Sequence, residues 1–358
     1  MAVEGRFTVS PNETGSTPLQ LRSAADAVPA PTLASVLAAA DRLAPHIVRT
    51  PVHRWQGPAS RRLFGAGTEV WVKLELLQVT GSFKPRGALN VAMNLDPAAR
   101  EHGLTAFSSG NHAAAVAYAA HILGTTAKVV MLSSANPARV ENCRRLGGEV
   151  LFATDGVAAM AMVETIRAQE GRALIHPYEG PHTSTGTGTL ALELAEQIPS
   201  PDCVIVAIGG GGLCSGVAAT MKQLVPACRV LAVEPVGADT MFRSFRSGKP
   251  EAAGVTSTIA DSLSPPYVLP YSFGLCRDSV DELALVSDDE MCKATAVLFS
   301  ELKLAVEPGG AASTAGALGP FREQIAGKRV VIVVCGSNID IGSLSRLLKP
   351  GRGTVALE

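Results

Sequence analysis

Four successive glycines, Gly209, Gly210, Gly211 and Gly212, stand between the apolar run 203–208 and the helix-forming stretch 213–221. Glycine lets a backbone curl so that several N–H groups face one point. A helix beginning there adds the positive end of its dipole. The combination is a cradle for a phosphate. It is not a dinucleotide fingerprint, because Cys214 and Ser215 fall where the third glycine of GxGxxG would stand. It is not a triphosphate loop either, since no Gly-Lys-Ser/Thr follows. A flexible connector would be mixed with Ser or Pro. The simplest ligand is a cofactor with a single phosphate.

Lys84, in Gly81-Ser82-Phe83-Lys84-Pro85-Arg86-Gly87-Ala88, precedes a helical stretch. A helix N-terminus disfavours an ammonium, and desolvation would lower the lysine pKa further, making it nucleophilic toward an aldehyde. Taken alone, such a lysine is more often a solvated charge. Two further turns carry polar residues after apolar runs: Ser108-Ser109-Gly110-Asn111-His112 after 105–107, and Cys335-Gly336-Ser337-Asn338 after 330–334. A free cysteine is commonly just a buried thiol. Its place at a strand end, before Gly336, favours a ligand-facing role.

These turns need a scaffold to bring them together. Short apolar runs at 69–74, 105–107, 128–132, 149–152, 203–208, 229–233 and 329–334 alternate with alanine- and leucine-rich helical stretches. Most are continuously apolar, as buried parallel strands are. The alternation predicts an α/β fold of right-handed crossovers, with helices on both faces of mostly parallel sheets. In such sheets ligands bind beyond the carboxyl ends of the strands, so the three turns should line one cleft. Thr32 should cap a helix through Leu33, Val36, Leu37, Ala40 and Leu43. Residues 1–31, rich in Ser, Thr, Pro, Gly and Ala, read as a flexible arm.

Composition narrows the partners. The chain has 358 residues, enough for two lobes, and 47% hydrophobic against 18% charged residues marks a globular protein. With 31 Lys and Arg against 32 Asp and Glu and no basic stripe, a nucleic-acid partner is not expected. No apolar run is long enough for a bilayer, and the N-terminal residues lack a signal peptide's apolar stretch. Seven scattered cysteines without a CxxC pair read as reduced thiols, so a cytoplasmic location is expected.

Five separated motifs in one order carry a family resemblance: Ser82-Phe83-Lys84-Pro85-Arg86-Gly87-Ala88, Ser108-Ser109-Gly110-Asn111-His112, Gly209-Gly210-Gly211-Gly212-Leu213, Val306-Glu307-Pro308 and Cys335-Gly336-Ser337-Asn338. They resemble fold-type II pyridoxal-5′-phosphate (PLP) enzymes, in the branch of serine/threonine dehydratases and serine racemases, over about residues 32–345. The resemblance implies a tryptophan synthase β-like fold of two doubly wound lobes. A large PLP-binding domain (32–100 and 178–358) would face a small substrate-closing domain (101–177), and the assembly would be a homodimer. It gives Lys84 the covalent bond to PLP and the proton transfer at Cα. It makes Phe83, Asn111, Gly209, Gly210, Gly211, Gly212, Leu213, Glu307 and Cys335 cofactor contacts, with Asn111 facing the 3′-oxygen and Cys335 the pyridine nitrogen. Ser108, Ser109, Gly110, Asn111 and His112 would hold the substrate.

The expected reaction is β-elimination from a small hydroxy-amino acid such as L-threonine or L-serine, giving a 2-oxo acid and ammonia. A thiol at the ring nitrogen suits elimination, since it does not hold that nitrogen protonated. The alternatives are a serine-type racemase, with Ser109 as the second acid/base, and a dehydratase of 3-hydroxyaspartate or phenylserine. PLP-dependent β-replacement ranks lower, because cysteine synthases carry other residues around the lysine and Asn loop. A nicotinamide oxidoreductase and a catalytically silent relative rank lower still. Three departures from the pattern stand out. Thr240 occupies the place of an expected metal-binding aspartate near Glu234, so no metal is expected. Thr187 stands where relatives often have Gln, and Tyr178 follows His176-Pro177. The sequence also ends soon after the Cys335 strand, so no regulatory domain of the kind that follows the core in biosynthetic threonine deaminases is expected.

Overall fold

The computed structural model describes residues 29–348 and the backbone of Arg6–Thr8. The expected arm, 1–31, lies largely outside the described residues. Eleven strands are described: β1 (Arg6–Thr8), β2 (Val52–Trp55), β3 (Glu69–Lys73), β4 (Leu104–Phe107), β5 (Ala127–Leu132), β6 (Gly148–Ala153), β7 (Ala173–Leu174), β8 (Cys203–Ala207), β9 (Arg229–Pro235), β10 (Glu282–Val286) and β11 (Arg329–Val333). All seven sequence runs are strands, with bounds shifted by a residue or two.

The strands form two sheets. The larger has the order β1-β10-β9-β8-β11-β3-β2, parallel at its centre and antiparallel only at the two edge pairs, β1–β10 and β2–β3. The smaller, β6-β5-β4-β7, is wholly parallel. This is the α/β architecture expected. β8 is buried at every residue, as a strand covered by helices on both faces must be. Strands β1, β2, β7 and β10 were not among the runs read from the sequence, and β1, paired with β10, falls within the stretch expected to be a flexible arm. β2 is a polar edge strand, Val-His-Arg-Trp, and β7 has only two residues.

Local chemistry sets the helix starts. Thr32 accepts a hydrogen bond from the Ser35 N–H, the expected cap for helix Leu33–Leu43. Asp155 and Ser287 do the same for helices Gly156–Glu170 and Asp288–Leu302. Leu43, Ala88, Leu89 and Ala92 complete the core of the small sheet alongside Leu104, Val129 and Met131. Helices Leu33–Leu43 and Lys84–Met93 thus pack under a sheet that begins only at residue 104. Helix Lys84–Met93, which also packs on helix Pro181–Gln197, therefore stands between the cores of the two sheets. Among the described residues, no helix is long and apolar enough to cross a membrane.

Candidate active site between the two sheets

A cavity of about 1160 Å³ opens between the sheets at their carboxyl ends. All three turns singled out in the sequence line it, as do Phe83, Lys84, Glu307 and Cys335.

Lys84 is the first residue of helix Lys84–Met93. The loop before it is bound to the turn after β11: the Phe83 N–H donates to the Cys335 carbonyl (3.1 Å), and the Ser337 N–H to the Gly81 carbonyl (2.9 Å). These contacts hold the lysine against Cys335. Lys84 Nζ donates to the Pro177 carbonyl at 2.7 Å and lies 5.1 Å from the centre of the Phe83 ring. Burial pushes its pKa down to about 8, against the pull of Cys335 and Glu307. A buried amine with a large neutral fraction near neutral pH is a nucleophile toward a carbonyl.

The glycine turn begins helix Gly212–Leu224. Gly211 has φ of +91°, a left-handed conformation that favours glycine. A Cβ on Gly210 would meet the Tyr178 ring at 2.4 Å. The first N–H groups of a helix have no intrahelical acceptor, and here the residues that carry them line the cavity. With a nucleophilic lysine in the same cavity, this cradle fits an aldehyde cofactor bearing one phosphate.

Opposite, Gly110 is the N-cap of helix Asn111–Ile122, and Ser108 Oγ accepts from the Gly110 N–H at 3.2 Å. Ser109 Oγ accepts from the Leu132 N–H at 2.9 Å, leaving its own proton free to be donated. Asn111 Nδ2 donates to Glu307 Oε1 at 2.5 Å, and Asn111 Oδ1 accepts from Asn338 Nδ2 at 2.7 Å. His112 Nε2 lies 2.8 Å from the Ile175 carbonyl; burial, with Lys84 nearby, pushes its pKa down to about 3. It is a neutral positioning group. His176, also kept neutral by burial with a pKa of about 4, accepts the Tyr178 and Glu179 N–H groups at Nδ1.

Glu307 is the N-cap residue of helix Pro308–Leu318. Burial lifts its carboxyl to about 7, against the pull of Arg139 and the Asn111 hydrogen bond. Burial likewise pushes the Cys335 thiol up to about 12; its Sγ lies 3.6 Å from the Gly309 carbonyl. A neutral thiol here can face a ring nitrogen without protonating it.

Sequence reasoning missed Arg139. It lies on helix Pro137–Arg145, beneath the small sheet, and reaches Asp261, Glu307 and the Asn338 carbonyl. Its helix is polar and its partners are distant in sequence, so no local signal marks it. Two departures in the sequence have structural explanations. Thr187 is buried, and its Oγ1 donates to the Gly212 carbonyl at 2.8 Å, which fixes helix Pro181–Gln197 against the glycine turn. Glu234 places its two oxygens 2.8 and 2.7 Å from the Met241 and Phe242 N–H groups, capping helix Thr240–Ser247. Asp239 pairs with Arg243.

Fold and cleft together define an α/β enzyme built to hold a phosphate-bearing carbonyl cofactor on a buried lysine. The chain belongs to the pyridoxal-phosphate dependent enzymes, whose family model matches residues 43–336. Within them it is a fold-type II enzyme of the ammonia-lyase and dehydratase type, in the group of serine/threonine dehydratases and serine racemases. Reactions of that group are β-elimination from, and racemisation of, hydroxy-amino acids. The chain is 49% identical over 285 residues to a phenylserine dehydratase of Ralstonia pickettii, covering 80% of this chain and 87% of that one. It is 36% identical over 315 residues to a β-hydroxyaspartate dehydratase of Paracoccus denitrificans, covering 88% and 98%. The structure of maize serine racemase superposes with a TM-score of 0.83 at 36% identity, covering 89% of this chain and 97% of that one.

Proposed function

We propose that this enzyme eliminates the β-hydroxyl of a 3-aryl-3-hydroxy amino acid of the phenylserine class, releasing an aryl 2-oxo acid and ammonia. The observation that carries this reading is the apolar wall of the cavity, formed by Phe107, Leu132, Met160 and Leu174 and backed by the buried Val163. It replaces L-threonine or L-serine as the leading substrate, and the 49% identity to a phenylserine dehydratase supports the change. A second carboxylate, as in 3-hydroxyaspartate, would need a cationic partner. Among the described residues two arginines line the cavity: Arg139 is engaged by Asp261 and Glu307, and Arg346 donates to Ser343 Oγ.

PLP, when bound, supplies the electron sink that makes the Cα proton removable. The chain supplies the rest. Lys84 anchors the cofactor and then takes the Cα proton at Nζ. The N–H groups of Gly209, Gly210, Gly211, Gly212 and Leu213 would hold the phosphate, Asn111 would serve the 3′-oxygen, and the neutral Cys335 thiol would serve the ring nitrogen. Phe83 and Glu307, which line the same cavity, would complete the cofactor contacts. The start of helix Asn111–Ile122, with Ser108, Ser109, Gly110, Asn111 and His112, receives the substrate carboxylate. The α-proton and β-hydroxyl leave as water, and hydration of the released enamine gives the 2-oxo acid and ammonia. We assign Ser109 as the hydroxyl that reaches the other face of Cα. The proposed assembly is a homodimer, the commonest closed arrangement, to be read by sedimentation equilibrium.

The test is 2-oxo acid release from phenylserine, threonine, serine and 3-hydroxyaspartate by the PLP-loaded enzyme. Burying a phenyl ring adds about 2–3 kcal/mol over a hydrogen, so kcat/KM for phenylserine should exceed that for serine roughly 50-fold. Equal or better turnover of 3-hydroxyaspartate would sink the aryl reading. Ser109→Ala should retain elimination and lose any interconversion of stereoisomers; an unchanged isomerisation rate would remove Ser109 from that role.

A further inference from the structure

Arg139 touches more of the cleft than the cofactor chemistry requires. It sits in the first turn of helix Pro137–Arg145, on the small-sheet side, and its side chain is 16% exposed. Every partner it reaches belongs to the large-sheet side. Its guanidinium takes both oxygens of Asp261, in the turn Asp261–Leu263; its Nη2 lies 3.5 Å from Glu307 Oε2; and its Nε donates to the Asn338 carbonyl at 3.3 Å. One turn earlier, Asn136 Nδ2 donates to Asp340 Oδ2 at 2.7 Å.

The partners differ in kind. Asp261 is 62% exposed, at the cavity rim; Glu307 is 2% exposed, on its floor, hydrogen-bonded to Asn111. One cation is therefore shared between a wet carboxylate that closes the cleft and a dry one at the cofactor end. We propose that Arg139 is a positioning residue that sets the charge of Glu307, and that Asp261 tempers this by sharing the same guanidinium. When Asp261 holds the guanidinium, Glu307 receives only part of its charge. Without the Asp261 carboxylate the whole cation is available to Glu307, which then accepts from Asn111 as a full carboxylate. Asn111 passes that state to Asn338 through its Oδ1.

The charged and titratable groups facing Glu307 are Lys84 from helix Lys84–Met93, Arg139, Asp261, and Cys335 after β11. Arg139 and Lys84 favour the carboxylate; Asp261 opposes it. Removing Arg139 and removing Asp261 should therefore move Glu307 in opposite directions. A residue that merely braced the helix would not produce opposite shifts.

The experiment is a pH titration of the absorbance of bound PLP in the holoenzyme, with no substrate added, so its outcome is independent of which amino acid is turned over. Wild type should show a step near pH 7 that Glu307→Gln abolishes. Arg139→Gln should raise the midpoint by about one unit, Arg139→Lys by less, and Asp261→Asn should lower it. The lysine variant keeps the test valid if Arg139→Gln fails to fold. No Glu307-dependent step, or one midpoint shared by wild type, Arg139→Lys and Asp261→Asn, would overturn the proposal.

Discussion

Burial holds Lys84 near a pKa of about 8, whereas an unfolded lysine titrates near 10.5. At pH 7.5 this leaves roughly a quarter of it neutral, against about one molecule in a thousand for an ordinary lysine. Capture of PLP by the cofactor-free protein should therefore accelerate with pH and level off above about 8. The same shift costs stability. Between pH 8 and 10.5 the unfolded chain binds more protons than the folded one, so stability rises with pH across that window. Below pH 8 the penalty is fully present, on the order of 3 kcal/mol. Lys84→Met should raise the melting temperature of the cofactor-free protein by several degrees at pH 7, and the gain should shrink as pH climbs toward 10.5. A variant that melts at or below wild type at pH 7 would contradict the burial argument. Lys84 was legible in the sequence because its motif is local. Arg139 was not, since an arginine on a polar helix reads as a solvated charge until its tertiary partners are known.

At the scale of elements, the parallel strands were legible because burial on both faces writes itself as a continuous apolar run. The glycine turn was legible for a related reason: a cradle needs small residues in sequence. What the sequence withheld was the neighbour that makes the turn intolerant of change. Tyr178 packs its ring across Gly210, its hydroxyl donates to the Tyr267 carbonyl, and it rests edge-on against His176, with ring centres 4.6 Å apart. Tyr178 is a wall of the cavity, but equally a brace for the phosphate cradle. Gly210→Ala should push that ring aside, displace the turn and weaken PLP binding at least tenfold. Adding Tyr178→Ala removes the obstruction, so the double variant should recover part of the loss despite carrying a second substitution. Fluorescence titration of the two cofactor-free variants with PLP decides it: a double variant weaker than Gly210→Ala would show that the tyrosine does not press on the turn. Helix Pro181–Gln197 shows the limit of local propensity. Its Thr-Gly-Thr-Gly-Thr stretch is poor helix material, and it is helical because Thr187 and Gly188 fit against helix Gly212–Leu224 while Gly186 fits against helix Lys84–Met93.

For the molecule as a whole, the position of Lys84 depends on charges that never reach the cavity. Arg86, two residues along the same helix, is fully buried and makes a two-pronged pair with Glu75, both contacts at 2.7 Å. Its remaining nitrogen reaches Glu193 at 2.7 Å and Thr189 at 3.0 Å. Lys73, at the end of β3, pairs with the same Glu193 and donates to Gln197 and the Thr50 carbonyl. Two cations thus face two carboxylates in a dry space joining β3, the turn Glu75–Leu77, helix Lys84–Met93 and helix Pro181–Gln197. Glu75 and Glu193 hold the guanidinium charged, while burial pushes Lys73 down against the pull of the same carboxylates. Removing one member strands a buried charge, which costs about 3–5 kcal/mol, whereas replacing a complete pair with apolar groups is often close to neutral. Glu75→Gln should accordingly lower the urea midpoint of the holoenzyme sharply. The double variant Glu75→Met with Arg86→Met leaves Lys73 and Glu193 as a balanced pair and should win back much of that stability. It should do so without restoring activity, because the helix that carries Lys84 would have lost its anchor. Equal midpoints for wild type and Glu75→Gln would mean the network contributes nothing to the fold. Full turnover in the double variant would mean that Lys84 is positioned by packing alone.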